Sequence, residues 1–167
     1  ARLPWLVLAL FGGFISVHVL GIFEPVMDLH PELFFFTPLI AAMAGNVGVQ
    51  SSAIIVQGLA NNTIIGPVVE RLLKELSLSL LNGVILSVIL LAGSYFLLGY
   101  EIHVGYTVSI ALLSVIIMAS LIGTFIPIIL NKYGVDPALA TGPFITTSND
   151  ILGILTYFTI AKIILGI

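Results

Sequence analysis

Between Gly105 and Leu130 the chain carries no charged side chain. A helix needs about 20 mainly apolar residues to cross about 30 Å of hydrocarbon, and this run is long enough. Four further stretches are likewise long and mainly apolar: Leu3 to Phe23, Leu33 to Ala60, Leu76 to Leu98 and Pro137 to Ile167. All are continuous. They exceed the alternating segments of about 10 residues that build a membrane barrel. The pattern predicts an all-α polytopic membrane protein with five transmembrane helices, forming a single domain over residues 1–167.

Composition supports this reading. Of the 167 residues, 59% are hydrophobic and 8% charged. Soluble domains carry about 25% charged residues. This chain cannot supply the charged skin that keeps a globule dispersed. A cytosolic enzyme and a disordered segment are therefore excluded. Five Lys+Arg make no basic footprint for nucleic acid. Cysteine is absent, so no disulfide, thiolate metal site or cysteine nucleophile exists. HExxH, GxSxG and P-loop motifs are also absent, which argues against a hydrolase.

The spans are joined by short links over 24–32, 61–75, 99–103 and 131–136, none long enough to separate one domain from another. The second contains Gly66-Pro67 and a short amphipathic piece, Val68 to Glu75. No internal repeat supports an inverted-repeat transporter. Residue 1 is Ala, which fits a piece cut from a longer chain, and the first apolar run is too long for a cleaved signal peptide. Trp5 sits at interface depth. With the N-terminus cytoplasmic, Arg2, Arg71, Lys74 and Lys132 fall inside and only Lys162 outside. Glu24, Asp28, Glu32 and Glu101 then face outward. The excess of basic residues predicts N-inside and C-outside.

The residues that carry information are those that do not belong in lipid. Asp150 lies inside the fifth span, about 20 Å along a helix that starts at Pro137. A charge at a helix centre costs roughly 2.5–3.5 kcal/mol on insertion scales. Pro143, Thr146, Thr147, Asp150, Gly153 and Tyr157 share one helical stripe. Gly142-Pro143 weakens the backbone ladder upstream and leaves carbonyls free. Two readings of Asp150 compete: a structural carboxyl joining helices, or a group on a water-filled path that meets a cation. The nearby hydroxyls and helix break favour the second.

The second span is rich in small or helix-breaking residues, namely Pro38, Ala41, Ala42, Ala44, Gly45 and Gly48, which let backbones approach. Asn46, Gln50 and Gln57 give it an amide-bearing face. Those amides serve either interhelical hydrogen bonds or a cation's hydration water. Asp136-Pro137 reads as an N-cap and first helical residue. Glu75, one turn after Arg71, reads as a solvated or ion-paired interfacial residue. Glu24, Asp28, His30 and Glu32 form a wet acidic link. His18 is expected buried and hydrogen-bonded, and His103 in a loop. Asp136 and Asp150, 14 residues apart on one helix (roughly 21 Å), are too distant for an aspartyl dyad.

Two segments carry a family resemblance. One is Gly45-Asn46-Val47-Gly48-Val49-Gln50-Ser51-Ser52. The other is Asp136-Pro137-Ala138, then Thr141-Gly142-Pro143-Phe144-Ile145-Thr146-Thr147, then Asp150, Gly153 and Tyr157-Phe158. The chain resembles the MgtE family of magnesium channels over essentially its whole length. It departs from the family pattern at Gln57, where a basic residue is usual, and at Ser79, where a glycine is usual. The resemblance implies a homodimer in the bacterial cell membrane, its pore on the two-fold axis and lined by spans 2 and 5. By the same resemblance Asp150 is the pore acid meeting Mg2+. Asn46, Gln50, Gly142, Thr146 and Thr147 line the pore, and Asp136 and Glu75 lie at the inner mouth. Cytosolic gating domains outside this chain are implied as partners.

The implied function is conduction of hydrated Mg2+ down its gradient into the cell. Magnesium dehydrates reluctantly, so a wide pore offering outer-shell contacts is economical. An ion-coupled secondary transporter of divalent cations is the alternative, with Asp150 as its proton or sodium site. A non-transporting helical scaffold is a third reading.

Overall fold

The computed structural model describes residues 3–64, 66–136, 138 and 142–166, without the side chains of Trp5 and Pro143. The expectations for Arg2, Pro137 and Thr141, and for Trp5 as an interface anchor, lie outside the described residues. Among the described residues six α-helices follow one another: α1 (Leu3–Ile22), α2 (Glu24–Leu29), α3 (Pro31–Ala60), α4 (Val68–Phe96), α5 (Ile102–Lys132) and α6 (Pro143–Leu165). Among the described residues four are long and apolar enough to cross a membrane: Pro31–Ala60, Val68–Phe96, Ile102–Lys132 and Phe144–Leu165. The expected first span is a shorter apolar helix, Leu6–Ile22, within α1.

The boundaries follow from turn chemistry. Gly66 takes φ +107, a backbone conformation that side chains resist, and Pro67 then stands as the N-cap of α4. The amphipathic piece Val68 to Glu75 is not a separate link element. It is the first two turns of α4, which starts at Val68 rather than Leu76. Nothing between them breaks the i→i−4 ladder. Gly134, at φ +74, closes the turn after α5. In the link 24–32, α2 forms with Pro25 in its first turn, where a missing N–H costs nothing.

The last helix departs most from expectation. It begins at Pro143, not Pro137. Gly142 has φ −99 and ψ −120, outside the helical region, so the helix starts only after it. Asp136 caps locally instead: its Oδ1 accepts from the Ala138 N–H at 2.9 Å. Asp136 and Asp150 therefore do not share one helix, and the separation reckoned along one does not apply.

The helix α5 is the hub. It packs against α3, α4 and α6, while α1 packs on α6. Val108, Ala111, Val115 and Ala119 run along its buried face. Large apolar side chains point outward, among them Leu6, Phe11 and Phe14 on α1 and Leu81, Val88 and Ile89 on α4. Such a surface is stable against lipid and not against water. His18 is exposed rather than buried, on the outer side of this peripheral helix. His103 lies in the first turn of α5, with Nδ1 3.1 Å from Glu101 Oε2.

Candidate functional site: the α3–α6 seam

Glycines decide how closely α3 can be approached. A Cβ added at Gly123 of α5 would overlap Gly48 O, and would lie 3.0 Å from Gly48 Cα. A Cβ at Gly48 would in turn overlap Asn149 Nδ2 of α6. A Cβ at Gly153 would come 3.0 Å from Ala44 Cβ. These small residues bring α3, α5 and α6 together around Gly48.

Asp150 stands at the edge of that seam. It is half-buried, and a Cβ at Gly45 would lie 3.9 Å from its Oδ1. It falls about two turns beyond Pro143, about 10 Å along α6 rather than 20 Å, because the helix starts late. Among the described residues no hydrogen bond or ion pair reaches its carboxylate, and no group of three or more His, Asp or Glu could hold a metal ion. Deeper in α6, Tyr157 is fully buried and its hydroxyl donates to Leu33 O at 2.9 Å, pinning α6 to the start of α3.

The other expected site residues divide between three places. The Gly142 carbonyl is not free: it accepts from the Thr146 N–H at 3.3 Å and from Thr146 Oγ1 at 3.4 Å. Thr147 turns toward α1, where its Cγ2 occupies the space a Cβ at Gly12 would need. Asn46, Gln50 and Gln57 are exposed on one stripe of α3. Asn46 and Gln50 line a cleft of about 530 Å³ between α3, α4 and α5, together with Ser51, Glu75 and Asn82. Glu75 is not paired with Arg71. Its Oε1 accepts from Ser51 Oγ at 2.6 Å, a bond that ties α4 to α3 across the cleft. Asp136 stays with its local cap.

Asn149 went unnoticed in the sequence. It is fully buried, and neither its Oδ1 nor its Nδ2 has a hydrogen-bond partner among the described residues. Ser52 Oγ and Thr124 Oγ1 are likewise buried without partners. An uncharged amide in an apolar run costs less than a charge, so it stands out less. Its burial depends on Gly48, a pairing that only the fold reveals.

The MgtE family, described as divalent cation transporters, matches residues 37–160. The magnesium transporter MgtE of Bacillus subtilis is 41% identical over 96% of this chain, and that of Thermus thermophilus 33% identical over 99%. The magnesium transporter MgtE of Enterococcus faecalis is 35% identical over 96%. The chain spans 36% of the length of each of these relatives. With the match covering α3 to α6 and the seam they build, the chain belongs to the MgtE family, membrane transporters rather than enzymes.

Proposed function

We propose that this chain is the pore domain of a magnesium channel that conducts hydrated Mg2+ into the cell, and that it works as a homodimer. In this reading α1 is a fifth span, the N-terminus is cytoplasmic, and α3 and α6 of two copies line a pore on the two-fold axis. The observation that carries it is Asp150: a half-buried carboxylate within an apolar helix, without a partner among the described residues. Such a group is stable at membrane depth when water and a cation meet it. The exposed amides Asn46, Gln50 and Gln57 give the second support, because lipid cannot satisfy them and a second copy around a wet path can. The relatives named as magnesium transporters supply the ion.

The chemistry is electrostatic. Two Asp150 carboxylates facing each other across the axis repel, and a divalent ion relieves that repulsion better than a monovalent one. Amides of Asn46 and Gln50 and the hydroxyl of Thr146 take outer-shell hydrogen bonds, so the ion keeps its waters. Thr147 is left to the α1–α6 contact. Asp136 and Glu75 stand near the inner mouth, where cytosolic gating domains of the intact protein would act. Inward drive needs no coupled ion, since a divalent cation gains about 2 × 2.3 kcal/mol per 100 mV of inside-negative potential.

Magnesium uptake into proteoliposomes tests this against the coupled transporter. Uptake driven by an inside-negative potential with no pH gradient is expected. Uptake that stops when the proton gradient alone is collapsed, at fixed voltage, would overturn the channel.

A further inference from the structure

At one end of the bundle, where α4 begins and α5 ends, lies a cavity of about 450 Å³. Its size matches ordinary ligand pockets of about 300–1,000 Å³. Arg71, Lys74 and Lys132 line it, three of the chain's five cationic side chains. One acid, Glu70, shares the wall and is taken: Lys74 Nζ donates to its Oε1 at 2.8 Å. Arg71 is different. Its Nε is buried and has no hydrogen-bond partner among the described residues. A buried guanidinium donor left unpaired costs free energy, and phosphate oxygens match its planar fork. The remaining wall mixes apolar side chains, Leu59, Ile64, Val68 and Ile128, with the polar Thr63 and Asn131.

We propose that this pocket binds a phosphate-bearing anion, the headgroup of an acidic phospholipid. Arg71 and Lys132 hold the phosphate oxygens, and the remaining wall takes the glycerol end. The pocket lies at the ends of two helices long and apolar enough to cross a membrane; with those helices spanning it, this is the level of the lipid phosphates. Net positive charge excludes a bare metal ion as its occupant. The inference stands apart from the pore reading, since it uses neither Asp150 nor the amide stripe.

The test uses the intact protein, delipidated and titrated with phosphatidylglycerol or phosphatidylcholine under native mass spectrometry. Phosphatidylglycerol is expected to bind preferentially, and its affinity to fall about fivefold for each cation removed, in Arg71→Gln and in Lys132→Gln. Lys132 is exposed in the last turn of α5, so that variant keeps the fold if Arg71→Gln does not. Lys162→Gln, in the last turn of α6, should change nothing. Inorganic phosphate that displaces the lipid, and that loses affinity in the same variants, would support the phosphate site with a soluble ligand. Equal binding of both lipids, or phosphatidylglycerol binding unchanged in Lys132→Gln, would overturn it. A cross-link from Lys132 to an acidic segment of the same protein, with no lipid retained, would overturn it in favour of a peptide occupant.

Discussion

Gly123→Ala should loosen the packing of α3, α5 and α6. The new Cβ would overlap Gly48 O and stand 3.0 Å and 3.1 Å from Gly48 Cα and C. Carbon atoms pack best at about 3.5–4.0 Å, so α3 and α5 must separate by roughly 0.5–1 Å. All three contacts are backbone, and no rotamer change relieves them. Overpacking of this kind costs about 1–3 kcal/mol, and a backbone clash belongs at the upper end. Alanine returns up to about 1 kcal/mol of helix propensity. The net loss is about 2 kcal/mol. For a domain of this size about 2–4 °C accompanies each kcal/mol, so the midpoint should fall by about 4–8 °C. The assay is a thermal melt in detergent at fixed scan rate, because such unfolding is often irreversible. Gly93→Ala is the control: a Cβ there meets nothing within 4 Å, so the change should be neutral or stabilising. A Gly123→Ala protein as stable as Gly93→Ala would refute the close approach of α3 and α5.

Two further perturbations probe the neighbouring contacts. Tyr157→Phe removes the hydroxyl that donates to Leu33 O at 2.9 Å and should cost about 0.5–1.5 kcal/mol, read as a lower melting midpoint. Gly12→Ala should destabilise, because its Cβ meets Thr147 Cγ2. Adding Thr147→Ser removes that methyl and should restore stability, with a coupling energy of about 0.5–3 kcal/mol in the double-mutant cycle. Purely additive effects would show that Thr147 does not face α1.

The helices were legible because apolar run length is a strong signal, and the helices α3 and α5 lie close to the expected spans. Helix starts were less legible. Val68 to Glu75 joins α4 because amphipathic and apolar turns share one ladder, and hydropathy cannot see that continuity. Gly142-Pro143 read as a weakness within a helix and is instead its beginning, since proline suits a first turn better than an interior. Asp150 was easy to single out because a charge in lipid is costly. Asn149, its neighbour, points about 100° away around the helix and is hidden under Gly48. Thr147 shares a stripe with Asp150, yet that stripe is wide enough to face both α3 and α1. Glu75 found Ser51 rather than Arg71, a choice set by the approach of α3 and not by spacing along α4.

The central claim is that Asp150 is where a divalent cation meets this chain. Reversal potentials of the intact protein under voltage clamp, with Mg2+ and Na+ on opposite sides, test it directly. A magnesium-selective current is expected, with Asp150→Asn reducing the preference for Mg2+ by at least about tenfold, equivalent to about 1.4 kcal/mol. A magnesium current that persists in Asp150→Asn with unchanged selectivity would contradict the account.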